Sequence, residues 1–92
     1  MRRIEEKMLD AIRGGYDWHE SNTEVSHLDN NVVRVRLYGN LIAKCDPVNG
    51  WRFSLAGYNT NTTRSRLNAL GCNVCQRNGK PMRDGIEWKT DF

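Results

Sequence analysis

The sequence lacks any long apolar run. Its 92 residues are 38% apolar, and no stretch approaches the roughly 18 consecutive apolar residues of a membrane-spanning helix. The N-terminal segment, residues 1–6, is charged at once and does not follow the pattern of a secretory signal. We therefore expect a cytosolic chain that makes no contact with a membrane and keeps its thiols reduced.

The sequence also lacks the residue patterns of common catalytic sites. His19 and His27 are its only histidines, and they lie in a polar connector and near a predicted turn. General acid–base chemistry usually needs a histidine that a partner group holds in a pocket. No serine–histidine–aspartate order, paired carboxylates or glycine-rich phosphate loop accompanies them. The sequence therefore predicts a protein that is not an enzyme and has no cofactor.

Three cysteines cannot all pair within one chain. Cys72 and Cys75 form a Cys-x-x-Cys motif, which supplies half of a zinc site when two further ligands converge on it. Cys45, His19 and His27 are the available further ligands. No second motif of this kind is present, and a strand at 72–77 would point the two thiols to opposite faces. We therefore favour free thiols and keep zinc binding at Cys72 and Cys75 as a third alternative.

The net charge of +3 conceals an uneven distribution along the chain. Residues 1–31 hold four basic and seven acidic side chains, whereas residues 32–92 hold ten basic and four acidic ones. A basic segment of this size suits an acidic protein or a nucleic acid as the binding partner. It is equally typical of a soluble surface with mixed charge.

The hydrophobic pattern predicts one domain of the α+β class over residues 1–92. An N-terminal helix is expected within residues 1–15, because apolar residues recur at helical spacing up to Gly14-Gly15. Residues 23–92 are expected to form an α+β core. Its parts are an antiparallel β-meander of three or four strands, a second short helix over 61–70, and a C-terminal strand or hairpin.

The meander is predicted from alternation over residues 23–56, and residues 16–22 are expected to be a connector. Gly39-Asn40 suits a two-residue hairpin turn. With that turn Tyr38 would pair with Leu41. This register would put Leu41, Ala43 and Cys45 on the same sheet face as the arginines of the preceding strand.

Basic and aromatic side chains group on this predicted sheet and at the start of the second helix. The candidate binding surface consists of Arg34, Arg36, Tyr38, Arg52, Arg64 and Arg66. Basic residues beside an exposed aromatic ring can contact phosphates and stack on bases, as in single-stranded nucleic-acid platforms. Arginines that alternate along a half-buried strand are also the ordinary solvated face of a sheet.

Three short segments together carry a family resemblance. They are Leu-Tyr-Gly-Asn-Leu-Ile-Ala at 37–43, Ser-Leu-Ala-Gly-Tyr-Asn-Thr at 54–60 and Thr-Thr-Arg-Ser-Arg-Leu-Asn at 62–68. The combination resembles a small domain of tailed bacteriophages, and it looks closest to short early-region proteins of podoviruses. The resemblance implies an early accessory protein in the cytoplasm of the infected bacterium. Such a protein would bind a host macromolecule for host takeover or counter-defence.

The same motif also has an architectural explanation. Gly57 allows a sharp turn after a strand, and the threonines at 60–63 can cap the following helix. Arg66 and Asn68 can brace that helix against the sheet through backbone carbonyls. Arg64 would then be the clearer contact residue of the helix. The sequence thus predicts a stoichiometric binder of a host protein, with nucleic-acid binding as the alternative.

Overall fold

The computed structural model describes residues 1–92 as two helices and two antiparallel sheets. The helices are α1 (Arg3–Gly14) and α2 (Asn61–Ala69). The first sheet contains β1 (Trp18–Glu20), β2 (Thr23–Leu28), β3 (Val32–Leu37), β4 (Asn40–Asp46) and β5 (Gly50–Phe53), in that spatial order. The second contains β6 (Val74–Arg77), β7 (Lys80–Arg83) and β8 (Ile86–Glu87). The predicted α+β class and the order of its elements are confirmed.

The core lies on one face of the first sheet, hereafter the inner face. The buried apolar residues are Met8, Ala11, Val25, Val35, Leu37, Ile42, Ala43, Phe53, Leu55, Leu67, Cys72 and Val74. They come from both helices, from four strands of the first sheet, from the start of β6 and, for Leu55 and Cys72, from connecting segments, and they form one cluster. The opposite face, hereafter the outer face, carries the polar side chains of β2 to β5.

The sheet is larger than the meander that the sequence predicts. The expected connector at 16–22 contains β1, which pairs with β2 and makes a fifth strand. β1 is only three residues long, and its middle residue His19 is exposed. Alternation over so short a stretch does not stand out from a polar connector, which explains why the sequence does not reveal it.

Helix α2 begins and ends at residues that satisfy its free backbone groups. Thr60 is the N-cap, and its Oγ1 accepts a hydrogen bond from the Thr63 amide at 3.1 Å. At the other end the Gly71 amide donates to the Asn68 carbonyl, and the Cys72 amide donates to the Leu67 carbonyl. This is a Schellman ending, and Gly71 supplies its left-handed residue with φ 97°. The expected threonine cap and the expected span of this helix, residues 61–70, are therefore confirmed to within one residue.

The β3–β4 hairpin differs from the expected one by a single residue. Its turn residues are Tyr38 and Gly39, with φ values of 51° and 79°, because Leu37 pairs with Asn40. Ile42 is then a bulge, since Val35 pairs with Ala43 while Arg36 pairs with Leu41. Two positive φ values fit the twist of a two-residue hairpin, although the first position usually carries asparagine or aspartate.

This bulge reverses the expected position of several β4 side chains. Ala43 lies in the core, and Cys45 pairs with Val33 on the inner face. Lys44, which the simple turn would place inside, pairs instead with Arg34 on the outer face. The prediction that Ala43 and Cys45 share the arginine face was therefore wrong.

The C-terminal segment ties the second sheet to the edge of the first. The Asp91 amide donates to the Phe53 carbonyl at 2.8 Å, and the Phe53 amide donates to Asp91 Oδ2 at 2.9 Å. The same carboxylate accepts from Arg83 Nη1 at 2.9 Å and from Trp88 Nε1 at 3.2 Å. Burial raises the pKa of Asp91, but these hydrogen bonds outweigh it and hold the pKa below its usual value. The segment covers an edge strand that would otherwise be open to pairing.

Neither helix has both the length and the apolar character that crossing a membrane requires.

Candidate binding surface

Arg66 does not belong to the candidate surface, because its side chain lies inside the fold. It is 3% exposed, and its Nη1 lies 2.8 Å from Glu5 Oε2. Its Nε donates to Thr23 Oγ1 at 3.0 Å, and its Nη2 donates to Asn22 Oδ1 at 3.3 Å. The bracing role expected for this residue is present, but side chains rather than backbone carbonyls accept its hydrogen bonds.

Asn68 also braces α2, in its case against β6. Its Nδ2 donates to the Val74 carbonyl at 2.9 Å, and its Oδ1 accepts from the Val74 amide at 2.6 Å. The side chain thus pairs with β6 much as a neighbouring strand would. The sequence predicts that Asn68 braces α2 against the first sheet through a backbone carbonyl, whereas the carbonyl that it contacts belongs to Val74 of the second sheet.

Arg64 is half-buried at the start of α2 and is held by its neighbours. Its Nη1 donates to the Asn59 carbonyl at 3.1 Å and to Gln76 Oε1 at 3.0 Å. Further hydrogen bonds join the guanidinium to the side chains of Asn59 and Asn61. A guanidinium has only five N–H donors, so these contacts leave Arg64 little capacity for a partner.

The remaining arginines lie together on the outer face. Arg34 pairs with Lys44, and Lys44 pairs with Arg52, so these three side chains form one row across β3, β4 and β5. Arg36 lies two residues from Arg34 on β3 and therefore on the same face. Four basic side chains thus share this surface, of which Lys44 was not predicted.

Two carboxylates partly neutralise this basic face. Arg36 Nη1 lies 3.8 Å from Glu24 Oε1, and Arg52 Nη2 lies 3.5 Å from Asp46 Oδ2. Lys44 Nζ lies 4.5 Å from the centre of the Phe92 ring, a cation–π contact. Arg34 has no ion pair. The outer face is therefore basic overall, with four positive and two negative groups on it.

Tyr38 lies at the end of this face, where the sheet meets a cleft. It is 71% exposed, and it is the only aromatic among the eight non-glycine residues with positive φ. A bulky residue in this region of backbone space is uncommon, and such strain tends to occur at functional sites. Its amide donates to the Asn22 carbonyl at 2.8 Å, which fixes the hairpin to the β1–β2 turn.

The cleft beside Tyr38, hereafter the tyrosine cleft, has a volume of about 370 Å³. It is lined by Leu37, Tyr38, Asn40, Ile42, Leu55, Tyr58, Thr60 and Thr63. Tyr58 is 56% exposed, and no lysine, arginine, histidine or acidic side chain lines the cleft. Apolar residues, two exposed tyrosines and a few polar groups together make a surface that can receive an uncharged apolar group.

A second and more polar hollow lies on the other side of Tyr38. This outer hollow has a volume of about 480 Å³. It is lined by His19, Ser21, Asn22, Glu24, Arg36, Tyr38 and Gly39. Tyr38 lines both hollows, so the apolar cleft and the basic outer face are neighbouring parts of one surface.

The cysteines and histidines do not converge. Cys72 is buried and Cys75 is exposed, while Cys45 is half-buried on β4. Burial raises the pKa of Cys72 to about 11, so its thiol is protonated at neutral pH. His27 Nδ1 lies 3.3 Å from Asp17 Oδ1. No group of three or more His, Cys, Asp or Glu side chains is placed to hold a metal ion.

The motif that suggested a phage origin is the segment that builds the tyrosine cleft. Residues 37–42 form one wall, and residues 55–63 form the other. A family model described as the Kyanoviridae Gp96 protein matches residues 1–92. The chain belongs to this family. The match supports the predicted origin in a tailed bacteriophage, and the Gp96 family model extends over the whole fold.

No curated protein and no solved structure showed a significant match to the chain.

Sequence reasoning missed two residues of this surface. Tyr58 lies in the segment at 54–60, one of the three that carry the family resemblance, and its exposure beside Tyr38 follows only from how two distant turns meet. Lys44 was missed because the bulge at Ile42 shifts its side chain to the outer face. The place of Tyr58 in that segment was a usable signal, whereas no local signal marks the bulge.

Proposed function

We propose that this protein is a non-enzymatic phage accessory protein that binds one host protein stoichiometrically. The observation that carries the proposal is the tyrosine cleft, in which Tyr38 and Tyr58 stand exposed on either side of an uncharged apolar floor. Membership of a phage protein family supports the setting of this activity in an infected bacterium.

The residue types of the cleft are those that anchor protein interfaces. Tyrosine is enriched where partners meet, since it offers a large apolar ring, a polar tip and few rotatable bonds. Such anchors carry most of the binding energy when they close over a pocket from which water is excluded. Leu37, Ile42 and Leu55 supply the apolar floor of such a pocket.

Tyr38 is held in place before any partner arrives. Its backbone is fixed by the hairpin turn and by the hydrogen bond to Asn22. Tyr58 follows Gly57, and its amide donates to the Leu55 carbonyl at 2.8 Å. Anchors that are already ordered lose less conformational entropy on binding, which favours affinity.

Nucleic-acid binding is the second candidate function. It is favoured by the row of Arg34, Lys44 and Arg52 on the outer face, with Arg36 beside it. Against it, two of these residues are already paired with carboxylates, and Arg66 is buried. Tyr38 is the only exposed aromatic ring at the end of β3, so this face offers few rings on which successive bases could stack.

The setting of this activity follows the resemblance to phage early proteins. We place the protein in the cytoplasm of the infected host, where it acts by inhibition for host takeover or counter-defence. The kinship with short early-region proteins of podoviruses stays a prediction.

Affinity capture from a lysate of the bacterial host, with and without nuclease, tests the proposal. We expect one host protein in stoichiometric amount, with recovery unchanged by nuclease. The matched variant carries Tyr38→Ser and Tyr58→Ser and should recover little of it, whereas Tyr16→Ser, which removes an exposed tyrosine outside the cleft, should recover it fully.

Recovery that disappears with nuclease would instead support the nucleic-acid alternative. Equal recovery by the cleft variant and the wild-type chain would remove the cleft from the function. The fold of each variant is checked by its thermal unfolding curve before capture.

A further inference from the structure

We infer that the partner presents a short segment with one aromatic or large aliphatic residue, followed or preceded by acidic residues. The apolar residue enters the tyrosine cleft, and the acidic residues lie on the outer face. The inference rests on the proposed function and adds to it the chemistry of the partner.

The composition of the cleft indicates its occupant. Its eight lining residues include no ionisable group other than the two tyrosines. A charged group in this cleft would lose hydration without gaining an opposite charge, which is unfavourable. An aromatic ring would gain edge or face contacts with the two exposed tyrosines, and it would lie over the small exposed parts of Leu37, Ile42 and Leu55. An apolar anchor residue is therefore the group that the cleft accepts.

The charge of the outer face indicates what surrounds that anchor. Arg34, Arg36, Lys44 and Arg52 lie together on the outer face and are half-buried there, and Glu24 and Asp46 are the only acids paired with them. Potentials of opposite sign favour association and suppress partners of like charge. A partner that crosses this face therefore gains from carboxylates.

Tyr38 connects the two contacts and sets their spacing. It lines the tyrosine cleft and also the outer hollow, where Arg36 lies. Along β3, Arg36 is two residues and Arg34 four residues from Tyr38, which corresponds to about 7 Å and 13 Å at the rise of a strand. An extended segment that crosses Tyr38 needs its carboxylates roughly two to five positions from the anchor.

The inferred sequence pattern of the partner is tested by selecting peptides that bind the full chain from a library of random 12-residue peptides. We expect the enriched peptides to share one aromatic or large aliphatic residue with at least two acidic residues within five positions of it. A synthetic peptide with that consensus is then titrated, together with the same peptide in which serine replaces the anchor.

Three variants separate the two parts of the surface. Tyr58→Ser should lower the affinity for the consensus peptide by about 30-fold, which is the usual effect of losing an interface anchor. Arg34→Gln with Arg36→Gln should weaken it less, and should reduce the dependence of affinity on salt. Tyr16→Ser should leave the affinity unchanged.

The inference is overturned if no peptide is enriched, if the enriched peptides lack the aromatic–acidic pattern, or if Tyr58→Ser binds them as well as the wild-type chain does. The proposed function would survive these results if affinity capture from the lysate still recovers a host protein that the cleft variant fails to recover. If the expected peptides are enriched but the wild-type chain captures no host protein, the proposed function alone is contradicted.

Discussion

Arg66 Nη1 lies 2.8 Å from Glu5 Oε2, and this ion pair joins α2 to α1 across 61 positions of the sequence. Both side chains are almost fully buried. Ser65 Oγ and the Arg2 amide also donate to the Glu5 carboxylate, and Thr23 Oγ1 accepts from the Arg66 Nε. The two helices are therefore positioned by a buried polar network as well as by apolar contact.

Arg66→Met should destabilise the fold, because it leaves the Glu5 carboxylate buried without its cation. Breaking one partner of a buried ion pair costs about 3–5 kcal/mol. Chemical denaturation measures the loss as a lower midpoint. Arg34→Met is the matched control, since Arg34 lies on the outer face without an ion pair, and its midpoint should change little.

The double variant Glu5→Met with Arg66→Met tests whether stability is lost because the ion pair is absent or because one charged partner stays buried alone. Replacing both members of a buried pair by apolar residues is often close to neutral. We expect its unfolding free energy to lie nearer to the wild-type value than that of either single variant. A double variant that loses the sum of the two single losses would contradict this account of the network.

The stability of the fold should depend on Glu5 in the acid range. Burial raises the pKa of Glu5, but hydrogen bonds from Ser65, Arg66 and Arg2 outweigh it and lower the pKa below its usual value. A lowered carboxyl pKa contributes stability above the unfolded pKa of about 4.3 and loses it as the pH falls further. The difference in unfolding free energy between wild type and Glu5→Gln should therefore shrink from about pH 5 to pH 3. A difference that stays constant over this range would show that the charge of Glu5 does not contribute.

Asp91→Asn should loosen the junction between the second sheet and β5. The Asp91 carboxylate accepts from the Phe53 amide, Arg83 and Trp88, and hydrogen bonds to a charged group contribute about 1.5–3 kcal/mol. We expect faster amide hydrogen exchange at Phe53 and a lower unfolding midpoint. Asp84→Asn, at an exposed turn, is the control. Unchanged exchange at Phe53 would mean that the backbone pairing alone holds this edge.

The sequence predicts the elements of this fold well, because their signals are local. Alternation marks β3 and β5, Thr60 and Gly71 mark the ends of α2, and Gly15 ends α1 with φ 72°. The prediction fails where the outcome depends on distant contacts. Tyr38 adopts a left-handed conformation that glycine or asparagine normally takes, which moves the turn by one residue, and the bulge at Ile42 then reverses the faces of the following β4 side chains.

The candidate surface could be predicted only in part for the same reason. Arg34, Arg36 and Arg52 share a face because strand alternation places them there. The sequence leaves Arg66 as either a surface residue or a brace of its helix, and only the position of α1 places the Glu5 carboxylate beside it. The cleft forms where two separate turns approach each other, so no single segment could reveal it.

The salt dependence of oligonucleotide affinity distinguishes nucleic-acid binding from the proposed function. If the outer face binds phosphates, affinity for a single-stranded oligonucleotide should fall steeply with salt, and each lost phosphate contact should reduce the slope by about 0.7. Our account instead expects weak binding that Arg34→Gln with Lys44→Gln removes, while capture of the host protein persists. Tight, steeply salt-dependent binding would favour the alternative function.

The most direct test of the tyrosine cleft is site-specific photocrosslinking in a host lysate. A benzophenone amino acid is placed at Tyr58 in one sample and at Tyr16 in another, and both are illuminated. We predict one crosslinked host protein from position 58 and none from position 16. Crosslinking from position 16 to the captured protein, with none from position 58, would contradict the claim that the cleft is the binding site.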